Sequence, residues 1–99
     1  MTRKIVQVSL PLFTWQEGDQ IVVYTPALEL SSCGASEKEA LDNFREAVDL
    51  FFETADERRV LHDLLESLGW EQRADRWFPA SQPIPGARAF DASVPVYVQ

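Results

Sequence analysis

The chain has 99 residues, 45% of them apolar and 25% charged, which is enough for one hydrophobic core and too little for two. Sixteen acidic against nine basic side chains give a net charge of −7, a balance that repels nucleic acid and suits a basic partner. The single cysteine, Cys33, excludes an internal disulfide and cannot build a zinc site by itself.

The even positions Val6, Val8, Leu10 and Leu12 alternate with Gln7, Ser9 and Pro11, and this period of two predicts a half-buried strand. Pro11 falls on the outward set, where a missing N–H is best tolerated at an edge or a strand end. Gln16-Glu17-Gly18-Asp19 is a turn signal, and Ile21–Tyr24 reads as a second strand that closes a hairpin. Pro26 ends that strand or kinks it. Ala27–Ser32, with Leu28 and Leu30 on one face, is expected to form a third strand that stops at Gly34.

Ser36-Glu37-Lys38-Glu39 is a capping box, in which the serine hydroxyl and the Glu39 carboxylate satisfy amides at a helix start. Ala40, Leu41, Phe44, Ala47, Val48, Phe51 and Phe52 then follow one helical face, which must lie against the sheet. A break or bend is expected over Thr54–Glu57, where Thr54 and Glu57 have the spacing to cap a second helix. Leu61, Leu64, Leu65 and Leu68 stripe that second helix, and Gly69 suits its C-terminal cap. Trp70–Phe78 reads as a further strand or as a tight hairpin around Ala74-Asp75. Residues 80–93, with Pro83, Pro85 and Gly86, read as an irregular arm. Val94–Val98 can add a short strand to this sheet or to that of a second copy. The expected architecture is therefore α+β, with an antiparallel sheet of three to four strands and one long amphipathic helix packed on it. A second helix and C-terminal strands complete it. Residues 1–79 form the domain and 80–99 the arm.

Three stretches carry a family resemblance: Val23-Tyr24-Thr25-Pro26-Ala27-Leu28, Cys33-Gly34-Ala35-Ser36-Glu37-Lys38-Glu39-Ala40-Leu41 and Phe44-Arg45-Glu46-Ala47-Val48. Together they resemble the signature of the HicB-like antitoxins, over about residues 4–55. That resemblance implies a β-β-β-α-β domain with a partial RNase H-like fold. It also implies an antitoxin that neutralises a small basic mRNA-cleaving toxin of the HicA type, in a bacterial cytoplasm. Two departures stand out. Glu29-Leu30-Ser31 occupies the place of the family's Pro-Gly-Cys. Residues 70–99 hold too few basic side chains for the DNA-binding module that many members carry.

Nothing in the sequence assembles into catalytic chemistry. An RNase H-like fold invites a search for metal-binding carboxylates, which two-metal cleavage needs in a converging group. Lys4–Leu12 contains no Asp or Glu. His62 has only Glu66 at helical spacing, Cys33 reads as a small buried side chain, and the four glycines form no phosphate loop. No metal, cofactor or enzymatic activity is expected. Asp42, Glu46, Asp49 and Glu53 recur along one helical face and can receive Lys and Arg of a basic partner, although a solvated helix face is the ordinary meaning of such a row. Phe13 and Trp15 continue the outward set of the first strand and are the aromatic candidates for the same interface. Trp15, Trp70 and Trp77 each have two readings, core or hairpin packing and an exposed aromatic anchor for a partner. The expected function is occlusion of a basic toxin, with a homodimer compatible. The alternative is a solitary domain that binds another protein or a small ligand. No run approaches the eighteen apolar residues of a membrane span, the cationic N-terminus lacks the pattern of a signal sequence, and the cytoplasm is the expected location.

Overall fold

In the computed structural model, residues 2–74, 76–79 and 88–98 are described. Eight elements follow in chain order: β1 (Thr2–Glu17), β2 (Gln20–Thr25), β3 (Leu30–Gly34), α1 (Glu37–Glu57), α2 (Leu61–Ser67), β4 (Glu71–Arg73), β5 (Arg76–Phe78) and β6 (Arg88–Val98). The fold class is α+β. A four-stranded antiparallel sheet has the order β3-β2-β1-β6, and β4 and β5 form a separate hairpin.

β1 is the spine of the sheet. Its 16 residues, at roughly 3.3 Å each, span about 50 Å, close to the 47 Å long axis of the molecule. It serves two partners in succession: Thr2–Leu12 pair with β6, and Phe13–Glu17 pair with β2. Pro11 lies just before this hand-over, opposite Ala89 of β6. Pairing with β2 starts at Phe13, so the proline stands where no ladder on the β2 side is lost. The β1–β2 hairpin turns on Gly18 and Asp19, and Gly18 has φ 61°, the left-handed value that a two-residue hairpin loop with glycine first requires.

Pro26–Glu29 forms a turn, not the start of a third strand, so the strand begins at Leu30. The alternation of Leu28 and Leu30 suggested otherwise. Leu28 is buried all the same, because the turn is folded into the core, with Glu29 at φ 51°. The indole Nε1–H of Trp70 donates to the Ala27 carbonyl at 2.7 Å, which satisfies a backbone group the turn would otherwise bury alone.

α1 begins with half of the expected capping box: the Ser36 Oγ accepts from the Glu39 amide at 3.1 Å, while among the described residues the Glu39 carboxylate makes no return bond and acts with Glu37 only as a first-turn acid that the helix dipole favours. Its buried face is Ala40, Phe44, Val48, Phe52 and Ala55. The helix runs unbroken through Thr54 to Glu57, so Thr54 and Glu57 cap nothing. It stops instead at a Schellman motif. Arg59 has φ 57°, its amide donates to the Asp56 carbonyl, and the Val60 amide donates to the Ala55 carbonyl. A glycine usually fills that position; an arginine pays with backbone strain but adds a cation at the negative end of the helix. α2 ends by the same geometry, with Gly69 at φ 89° and the Trp70 amide donating to Leu65, as the sequence suggested for Gly69.

Of the two readings of Trp70–Phe78, the hairpin is the one observed, with Ala74 at φ 58°; Asp75 lies outside the described residues. The largest correction concerns the arm. Residues 88–93 are not irregular: they open β6, which pairs with β1 of its own chain from Arg88 to Val98. Phe90, Ala92 and Val94 alternate on its buried side, a pattern masked in the sequence by the nearby prolines and small residues. Residues 80–87 lie outside the described residues.

The core lies between one face of the sheet and the helices. Val8, Leu10 and Leu12 from β1, Val23 from β2 and Phe90 and Val94 from β6 meet Phe44, Val48 and Phe52 of α1, with Leu61, Leu65, Trp70 and Trp77 behind them. At Gly34, α1 approaches β3 closely. A Cβ there would stand 2.6 Å from the Ala40 nitrogen, so no larger residue fits without moving backbone. Asn43 Nδ2 adds a bond of 2.9 Å to the Cys33 carbonyl.

Candidate functional site: two separate faces

The sequence-derived interface residues do not form one surface. Asp42, Glu46, Asp49 and Glu53 are all exposed along the outward side of α1. Phe13 and Trp15 lie on the opposite side of the molecule, on the sheet face that no helix covers. The strand period explains the split: Leu10 and Leu12 face α1, so Phe13 and Trp15, of the other parity, must face away.

On α1, Lys38 Nζ pairs with Asp42 at 2.8 Å. The hydrogen bond to Asp42, and then its charge, hold the Lys38 ammonium above its usual pKa. Glu46, Asp49 and Glu53 have no basic partner among the described residues. Amid them stands Leu50, 62% exposed, four residues after Glu46 and three before Glu53. That leucine was missed in the sequence, although it is the large apolar residue of α1 that falls off the buried stripe. At the start of the helix, Glu37 pairs with Arg88 of β6, and the Arg45 guanidinium lies 4.6 Å from the centre of the Phe90 ring. These basic groups clamp the helix to the strand and leave Glu46, Asp49 and Glu53 uncompensated among the described residues.

On the open sheet face, Trp15 is 44% exposed and meets Tyr24 edge-on, with ring centroids 6.3 Å apart. Phe13 is opposite Tyr24 in register and Trp15 is opposite Val22. Ile5, further along β1, is 51% exposed. Gln7 and Ser93 bridge β1 and β6 by a side-chain hydrogen bond of 2.9 Å. Cys33 is opposite Val22 and exposed, not buried as its size suggested, because β3 places it on the uncovered side. Trp70 and Trp77, in contrast, are core residues.

His62 lies on α2. His62 Nε2 lies 3.1 Å from Glu66 on the exposed side of α2, and its ring packs against Trp77 at 5.2 Å. Among the described residues, no three His, Cys, Asp or Glu side chains come together as a group able to hold a metal ion. No described helix is long and apolar enough to cross a membrane. The chain matches no family model, no curated protein and no solved structure at a significant level.

Proposed function

We propose that this chain is a HicB-like antitoxin, or a stand-alone relative of one, that binds a small basic mRNA-cleaving toxin of the HicA type and covers its working surface. The observation that carries this reading is the acidic row of α1: three exposed carboxylates without basic partners among the described residues, arranged around an exposed leucine. A basic protein presenting an apolar anchor between Lys and Arg side chains complements that surface in charge and in apolar character. Each exposed ion pair contributes only about 0.2–1 kcal/mol, so the row chiefly speeds and orients the encounter, while Leu50 supplies apolar burial at its centre. Occlusion requires no catalysis by this chain, no cofactor and no contact with nucleic acid. The cytoplasm, where such a toxin meets mRNA, is the compartment that fits.

Co-expression with the product of the neighbouring gene, followed by affinity capture, tests the proposal. A basic neighbour should be retained, should release as salt rises, and should bind roughly tenfold more weakly to the Glu46→Gln, Glu53→Gln double variant. Capture that is indifferent to salt and to both substitutions would refute the acidic-face mechanism. Failure to retain any basic neighbour would favour a solitary binding domain instead. Metal-dependent nuclease activity that disappears on mutating Asp42 and Glu46 would make the chain an enzyme and overturn the reading.

A further inference from the structure

The net charge of −7 is distributed very unevenly between the two outer surfaces. Along β1, the outward residues from Ile5 to Trp15 are Ile5, Gln7, Ser9, Pro11, Phe13 and Trp15, and none is charged. Ten residues at roughly 3.3 Å make this an uncharged row about 33 Å long. Beside it β2 contributes Val22 and Tyr24, and β3 contributes Ser31 and Cys33. The one acid this face carries between Ala89 and Pro95 is Asp91, on β6 at the margin of the sheet. The acids of α1 all lie beyond the core, on the other side.

We infer that the open sheet face is a self-association surface, covered by the same face of a second copy of this chain. Charge selects that occupant. A basic protein is drawn to the acidic row of α1 and finds on the sheet only the marginal carboxylates of Asp91 and Glu17. Two copies of an acidic chain repel wherever their charged surfaces meet, and on this broad face the acids, Asp91 on the edge strand β6 and Glu17 at the hairpin end of β1, stand at the margins and leave the aromatic centre uncharged. A two-fold arrangement sets sheet against sheet with both α1 helices outermost, so the acidic rows are as far apart as the assembly allows. Trp15, Phe13 and Tyr24 then fill the interface as aromatic anchors, and Gln7, Ser9 and Ser93 supply its polar rim. This goes beyond the proposed toxin interface and leaves it free, because the dimer uses the opposite side.

The two interfaces respond to salt with opposite sign, which makes them separable. Raising salt from about 0.1 to 1 M shortens the screening length from roughly 10 to 3 Å, which weakens an acidic–basic complex but relieves repulsion between two acidic chains. Sedimentation velocity on the full chain alone, over a concentration series at both salts, should show a monomer–dimer equilibrium that shifts several-fold toward dimer at high salt. Ser9→Glu, which puts a charge on the sheet face without removing apolar surface, should raise the dimer Kd by about tenfold or more. Trp15→Thr should act in the same direction, and Glu46→Gln should not weaken the dimer. Far-UV circular dichroism checks that each variant is folded; should Trp15→Thr fail to fold, Ser9→Glu decides. A chain that stays monomeric throughout, a dimer that weakens with salt, or a dimer untouched by Ser9→Glu would overturn the inference. None of those results bears on capture of a basic partner by α1.

Discussion

Leu10 and Pro11 are neighbours on one strand, yet Leu10 is fully enclosed against the helices while Pro11, half-buried, stands on a face that none of the described helices covers. The same contrast repeats from Val8 and Ser9 to Leu12 and Phe13. One face of the sheet is committed to holding the fold together. The other carries large side chains, Ile5 and Trp15 among them, that contribute little to that task. Mutations on the two faces should therefore differ in kind as well as in size.

The most severe effect is expected from Phe44→Ala. Phe44 is fully buried and meets Phe90 edge-to-face at 5.3 Å, and truncation should cost about 3–5 kcal/mol in a urea melt. Next comes Gly34→Ala, since a Cβ there meets the backbone of α1. A loss of about 1–3 kcal/mol is expected, with the helix displaced from β3. A loss below about 0.5 kcal/mol would mean that the approach of α1 to β3 is looser than 2.6 Å implies. Thr25→Val should work in the opposite direction. The Thr25 hydroxyl is buried without a hydrogen-bond partner among the described residues, so exchanging it for a methyl group should stabilise the fold by about 1 kcal/mol, read from the same melt. Trp15→Thr sharpens the comparison from the open side. Its effect on monomer stability, measured at low concentration, should stay near 0.5 kcal/mol, because a surface strand position with a β-branched replacement loses little. A loss as large as that of Phe44→Ala would show that the open face also holds the monomer together.

Local chemistry was legible wherever a short-range signal had no competitor. The turn at Gly18, the Ser36 cap, the apolar stripes of both helices and the Gly69 stop all appear where the residues imply them. Thr54–Glu57 misled because a cap-like spacing inside a helix is harmless when the side chains face outward or the core holds the next turn: Ala55 is buried and keeps α1 intact. Arg59 gave no warning, since nothing about an arginine announces a left-handed backbone; packing of the following Leu61 into the core determines where the chain must turn. For the candidate site, the acidic row was readable as a periodicity, and so was the outward parity of Phe13 and Trp15. Their separation onto opposite sides was implicit in the same parity. It became explicit only when α1 was seen to cover the even face.

Sequence alone determined which residues could share a face, because periods of two and of 3.6 are properties of the backbone and need no partner. It also determined the excess of acid and the concentration of that acid on one helix. Only the tertiary structure decided that β1 passes from β6 to β2 partway along its length. It likewise decided that a turn at Ala27 is buried under Trp70, and that the chain's last described strand returns to pair with its first. These are contacts between residues far apart in the chain. They are selected by how much apolar surface the whole assembly encloses, which no local stretch records.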